Sequence, residues 1–373
     1  MTSRSLLSLA LALALAGCAT PTPPPAPVAS AEPAPDAAPV QEAVLPPVPQ
    51  PPERPVAPPA VTDPALPLEQ RIDAFVDYTA TTYGVAPEAI RAKLAQAQYL
   101  QRTIDIISRP AEAVRPWRDY RPIFLNDARI QGGVAFYREN RADLDRIAME
   151  TGVPPEYIVA IIGVETNYGK NTGNYSVLDV LYTLGFGYPK RAPFFAGELA
   201  QLFALGQDEG IDIATLKGSY AGAMGWGQFM PSSWRNWGKD GDGDGKRDLI
   251  GDRDDIFASI ANYFVVHGWE RGGAVAARAV RDPAAADYVP ADVQPIHPLS
   301  ALAARGYTPQ PGEPVPPADA PAGATLLTLE GEAGKEYWLG YRNFYVITRY
   351  NHSPMYALAV HQLAQAIRAG SGP

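Results

Sequence analysis

Glu165 sits near the C-terminal end of Tyr157-Ile158-Val159-Ala160-Ile161-Ile162-Gly163-Val164-Glu165-Thr166-Asn167-Tyr168-Gly169, a dense apolar run preceded by Pro154-Pro155-Glu156. Proline in the first turn and glycine at the end mark a buried helix. At the C-terminal end of a helix the dipole disfavours negative charge, and apolar neighbours desolvate a carboxylate. Both effects raise its pKa, which is how a general acid is made at neutral pH.

A second stretch, Gly218-Ser219-Tyr220-Ala221-Gly222-Ala223-Met224-Gly225-Trp226-Gly227-Gln228-Phe229-Met230-Pro231-Ser232-Ser233, combines glycines and small residues with neutral polar groups and aromatics. Such a backbone can approach a ligand closely, Ser219 and Gln228 can hydrogen-bond it, and flat rings can cover it, a mixture suited to sugars. A third, Asp240-Gly241-Asp242-Gly243-Asp244-Gly245-Lys246-Arg247-Asp248, places aspartates at loop positions 1, 3, 5 and 9, glycine at 6 and the Lys246 carbonyl at 7. This is the pattern of a Ca²⁺ loop of EF-hand type. Position 12, where a bidentate Glu is expected, is Gly251. The closing ligand must then come from Asp252, Asp254 or Asp255.

Together, Glu165-Thr166-Asn167-Tyr168-Gly169, the Gly218–Ser233 string, the aspartate loop and Asn343-Phe344-Tyr345-Val346-Ile347-Thr348-Arg349-Tyr350-Asn351 resemble the membrane-bound lytic murein transglycosylase B family. The resemblance spans Leu68 to Ala369. It implies a mainly α, lysozyme-like core with a small β-containing region. It also implies cleavage of the MurNAc-β-1,4-GlcNAc bond of peptidoglycan without net use of water, leaving 1,6-anhydroMurNAc ends. Glu165 matches the family's single acid/base, and Ser219 and Gln228 match positions near the cleavage point. Tyr120, Tyr263, Asn343, Tyr345 and Tyr350 become groove residues, and Asp255 becomes the closing ligand of a structural Ca²⁺. Ordinary glycosidases use two carboxylates, and no second acid shares the setting of Glu165. The motifs also admit a hydrolytic muramidase and a non-catalytic, lipid-anchored peptidoglycan-binding protein.

The elements that position these residues read as mostly helical. Periodic apolar spacing predicts helices over Leu68–Tyr78, Pro87–Leu100, Ile123–Glu150, Tyr175–Leu184, Phe194–Leu205 and Ile256–His267, and a final one from Ser353-Pro354 to Ala369. Strands are expected only at Ala324–Leu329 and Tyr337–Thr348, with loops and one short helix, Leu299–Arg305, between Asp282 and Ala322. The implied organisation is a helical part over 68–115, a catalytic core with the calcium loop over 116–272, a Pro-rich, small β-containing region over 273–335, and a strand and helix over 336–373 completing the core.

The net charge of −9 and the absence of a Lys/Arg block argue against a nucleic-acid partner. One cysteine, Cys18, and four histidines leave no Cys/His zinc site of usual spacing and no intrachain disulfide. Cys18 ends a short signal peptide, residues 1–17, whose Leu15-Ala16-Gly17-Cys18 terminus resembles the bacterial lipobox. Lipidation there, with Ala19 following, would anchor the protein in the outer membrane facing the periplasm. Residues 18–67, dominated by Pro and Ala, read as a tether, and about 49 residues at ~3.1 Å each span on the order of 150 Å.

Overall fold

The computed structural model describes residues 55–108, 115–317 and 323–372, and all of them belong to one compact unit. Cys18, the signal peptide and most of the tether lie outside the described residues. Helices predominate, at 53% of the structure.

The helix Pro155–Thr166 runs through the middle of the main core, with Ile158 to Gly163 buried on all sides. A helix apolar all round has no solvent face, so it must be sheathed by others. Pro354–Ser371, Asp127–Glu139, Arg141–Thr151 and Arg253–Val266 provide that sheath. A second layer pairs Val177–Gly187 with Ala192–Glu209 and rests on Leu68–Tyr83.

Beside this core stands an antiparallel five-stranded sheet in the order His297–Pro298, Gly323–Gly331, Gly334–Gly340, Ala276–Arg281, Tyr307–Pro309. A smaller apolar cluster of Ala277, Leu302, Tyr307, Leu326 and Leu339 packs within it.

Several expectations are corrected, among them a helix that ends at Leu94 and not Leu100, and two short strands, His297–Pro298 and Tyr307–Pro309, where only loops and one helix are expected. The stretch Ile123–Glu150 is three helices, because Asn126 caps a new one by accepting from the Arg129 N–H and the chain breaks again at Asn140. Tyr337–Thr348 is a strand only to Gly340, and Arg342–Tyr350 is a helix. Ala276–Arg281 is a strand that the sequence reading did not assign. Order also begins before Leu68: Ala57 and Val61 are buried, and a short helix spans Pro59–Thr62.

Candidate active site

Asn167, Tyr168 and Gly169 at the end of the Pro155–Thr166 helix are all left-handed, with φ of 53°, 62° and 79°. A bulky residue with a Cβ, such as Tyr168, is strained in that region, and several bonds hold it. The Tyr168 hydroxyl donates to Arg129 O at 2.6 Å, and the Tyr168 N–H closes onto Ile162 O at 3.2 Å. The ring folds back over Gly163, where an added Cβ would meet it at 2.8 Å, so glycine is required there. Thr166 Oγ1 donates to Trp226 O at 3.0 Å and accepts from the Gly169 N–H at 3.0 Å. The end of the helix is thereby fixed to the Gly-rich loop.

Glu165 lies at that junction. It retains a limited exposed edge, while burial pushes its carboxyl up to about 7 and a hydrogen bond from Tyr356 moderates the rise. The Tyr356 hydroxyl donates to Glu165 Oε1 at 2.5 Å. No other carboxylate contributes to the shift. Desolvation therefore sets the pKa, unlike a paired-carboxylate site in which like charges split two values.

Tyr356 was missed by the sequence reading. It stands 191 residues from Glu165, in the first turn of a helix whose only signal was its Ser353-Pro354 start. Nothing local distinguishes it from a packing aromatic.

The Gly-rich loop is a chain of tight turns. Ser219 Oγ accepts from the N–H groups of Ala221 and Ala223, which leaves its hydroxyl proton to donate elsewhere. Gln228 has φ 51° and donates Nε2 to Thr172 O at 3.1 Å and Gly225 O at 3.0 Å. Its remaining surface lines a cavity of about 60 Å³ with Phe229, Met230, Ser233, Tyr263 and Tyr350. Tyr350 donates to Gly227 O at 2.6 Å and Tyr263 to Arg349 O at 2.7 Å. Burial, and then the charge of Glu165, raise the hydroxyl pKa of both Tyr120 and Tyr350.

Gln228, Tyr350 and Tyr263 are therefore tied to the loops at the end of the central helix, the Ser219 backbone lies against Gly173 just beyond it, and Tyr120 stacks on Trp117. Asn343 and Tyr345 are not in the groove. Asn343 is 0% exposed, and its amide accepts from the Glu270 N–H and donates to Glu270 O and Gly273 O, all within 2.9 Å. Tyr345 is 2% exposed, with the Arg349 guanidinium 4.2 Å from its ring centre. Both are enclosed because the helix that carries them is buried all round from Asn343 to Thr348.

In the acidic loop the carboxylates of Asp240, Asp242 and Asp244 bring oxygens within 4.8 Å of one another. Calcium–oxygen distances of about 2.3–2.6 Å allow one ion to touch three oxygens so spaced. Gly243 and Gly245 take positive φ to make the turn. Asp255 is buried and accepts from Gly241 N at 2.6 Å and Asp248 N at 2.5 Å, which ties the loop's two ends together. Asp248 Oδ1 accepts from the N–H groups of Ile250 and Gly251. Lys246, Arg247 and Asp248 also line a 540 Å³ cleft together with Gly169 and Trp226, so the loop and the end of the central helix share that cleft.

Residues 68–365 match the transglycosylase SLT domain family model. The chain is 41% identical over 302 residues to membrane-bound lytic murein transglycosylase B of Escherichia coli (strain K12), covering 79% of this chain and 81% of that protein. Among solved structures, soluble lytic transglycosylase SltB1 of Pseudomonas aeruginosa superposes with a TM-score of 0.74 at 45% identity, covering 80% of this chain and 98% of that one. Escherichia coli Slt35, solved in complex with calcium, gives 0.72 at 39% identity, covering 80% and 93%. With the helical core, the small sheet and the desolvated Glu165 in place, the chain belongs to the transglycosylase SLT domain family.

Proposed function

We propose that Glu165 is the acid and then the base with which this lytic transglycosylase cleaves the glycan chain of peptidoglycan without hydrolysis. The observation that carries the assignment is a solitary carboxyl held near neutrality by burial and gripped by one tyrosine. Protonated, Glu165 donates to the glycosidic oxygen between MurNAc and GlcNAc, and that C–O bond breaks. The resulting carboxylate is met by the Tyr356 hydroxyl. It then takes the proton of the muramoyl C6 hydroxyl as that oxygen bonds to C1, closing the 1,6-anhydro ring and returning the proton to Glu165. With no second carboxylate acting on Glu165 among the described residues, the substrate's acetamido group meets the charge at C1.

Ser219, Gln228, Tyr120 and Tyr350 supply donors and ring faces to the sugars beside the scissile bond, and Tyr263 closes the wall behind them. A digest of purified peptidoglycan tests this by mass spectrometry. The protein releases 1,6-anhydromuramic products, and Glu165→Gln releases none while still sedimenting with sacculi. Undiminished anhydro product from Glu165→Gln would refute the assignment.

Asp240, Asp242 and Asp244, with the Lys246 carbonyl and Asp248, would hold Ca²⁺, with Asp255 closing the loop from within. The ion would neutralise these carboxylates and stiffen the cleft wall next to Trp226; it takes no part in proton transfer. Calcium should raise the melting temperature and a chelator should reverse the rise. Slt35 has been solved with calcium, which supports the same reading here. A membrane-associated, periplasmic location accords with the membrane-bound relative. The finer proposal is lipidation at Cys18 and residence at the outer membrane, tested by whether Cys18→Ala frees the protein from the membrane fraction.

A further inference from the structure

On the side of the Trp117–Phe124 helix away from Tyr120 lies a second pocket, of about 370 Å³. Positions two apart on a helix point about 200° from each other, so Arg118 and Pro122, which line this pocket, point away from Tyr120. The Pro354–Ser371 helix joins the same two sites, with Tyr356 on Glu165 and Gln362 in the pocket. The sheet forms the remaining wall through Arg278, Glu336 and Trp338.

In a chain of net charge −9, this pocket's lining carries one more positive than negative side chain. Three guanidiniums, those of Arg118, Arg121 and Arg278, face two carboxylates, those of Glu332 and Glu336. Arg278 is paired with Glu336 at 2.6 Å. Among the described residues Arg121 bonds a neutral partner, Gln362 Oε1 at 2.7 Å, and forms no ion pair. Arg118 is exposed at the rim. Uncompensated guanidiniums over a concave floor select planar anions, carboxylates above all.

A neutral sugar fits poorly, because the indoles offer it no free face. Trp117 is 1% exposed and stacked on Tyr120, and Trp338 is 7% exposed beneath Arg278.

We propose that this pocket binds the acidic stem peptide carried by the muramic acid residue, its arginines taking the peptide carboxylates. This rests on reading the Glu165 groove as the glycan site. A helix is about 10 Å across, too far for the lactyl group itself to reach from the groove. An extended peptide gains about 3.3 Å per residue, so its third or fourth residue arrives at the arginines. The protein would then favour peptide-bearing strands over stripped ones.

The test uses the full chain carrying Glu165→Gln, titrated calorimetrically with the muropeptide disaccharide-tetrapeptide and with the same disaccharide lacking the peptide but keeping its lactyl carboxylate. The peptide-bearing ligand should bind about tenfold more tightly. Adding Arg118→Glu or, as a milder change, Arg121→Gln should cut that advantage to under about threefold, with the melting temperature held and the advantage shrinking at high salt. Equal binding of the two ligands, or an advantage untouched by both arginine variants, would overturn the proposal and leave the groove assignment standing. If neither ligand binds, the groove assignment fails as well, and the peptide site with it.

Discussion

Glu165 holds a proton in the folded protein over a pH range in which the unfolded chain has lost it. Its folded pKa is about 7 against an ordinary 4.5, so this group's stabilising contribution is complete below 4.5. It is lost as pH rises through 7. The difference is on the order of 3 kcal/mol, at about 1.4 kcal/mol for each pH unit between the two values. Glu165→Gln cannot ionise and should be the more stable form above pH 7, with the gap closing toward pH 4.5, as read by urea unfolding of both proteins across that range. A gap independent of pH would mean that the carboxyl is not desolvated. The same proton governs activity, since kcat/KM should fall about tenfold per pH unit above ~7 as the acid form is depleted. Tyr356 tunes that limb. Its hydroxyl favours the carboxylate, so Tyr356→Phe should move the alkaline limb upward by about half a unit to one unit. It should also slow turnover about tenfold, because the base form loses its donor. An unchanged limb would reduce Tyr356 to a packing residue.

Among the elements, the helix Arg342–Tyr350 shows where local signals end. Its Phe, Tyr, Val, Ile and Thr content favours a strand, and the preceding Gly334–Gly340 is one. Tertiary packing reverses the preference after Tyr341: Phe344, Val346 and Ile347 are buried, and the segment packs against Pro354–Ser371. Propensity is a weak prior against such burial. The central helix was legible, because an apolar run opened by proline leaves few alternatives, and so was the final one, whose Ser353 accepts from the Tyr356 N–H as a cap. The site was legible where a motif is contiguous, at Glu165 and the Gly-rich loop. It was not legible at Tyr356 or at the inward turn of Asn343, which depend on partners far along the chain.

Asn343 carries a consequence of its own. Its three hydrogen bonds hold the turn Glu270–Gly273 against the base of this helix. Removing a buried amide leaves those backbone groups unpaired at about 1–3 kcal/mol. Asn343→Ala should therefore lose about 2–3 kcal/mol in chemical denaturation, while KM for peptidoglycan, measured where the variant is still folded, stays near that of the parent. A selective rise in KM would restore Asn343 to the groove.

For the whole molecule, the boundary of the folded unit bears on how far from a lipid anchor the enzyme works. The segment left for a tether ends no later than Arg54, because Pro55 onward packs on the core. The Ala57 N–H bonds Pro193 O at 2.9 Å, and the backbone of Pro55 passes so close to the Ala192–Glu209 helix that a Cβ at Gly197 would meet Pro55 O at 2.5 Å. Arg71 then ties three segments together. Its Nε donates to Val61 O at 3.0 Å and its Nη2 to Phe186 O at 2.9 Å, with the guanidinium 5.5 Å from the Phe186 ring centre. A fragment beginning at Leu68 removes the Val61 acceptor from a buried guanidinium and uncovers the apolar surface beneath Val61. A hydrogen bond to a charged group is worth about 1.5–3 kcal/mol, and covering one valine side chain about 1.5–3 kcal/mol more. The fragment from Leu68 should therefore melt several degrees below one beginning at Pro55, while both should cleave peptidoglycan at the same rate at low temperature, since neither Val61 nor Arg71 touches the groove. Equal melting temperatures would mean that 55–67 is spacer after all, restoring a reach near 150 Å. A lower one for the shorter fragment leaves about 36 residues between lipid and enzyme, or roughly 110 Å fully extended, and makes the last part of the spacer a clamp on the catalytic unit.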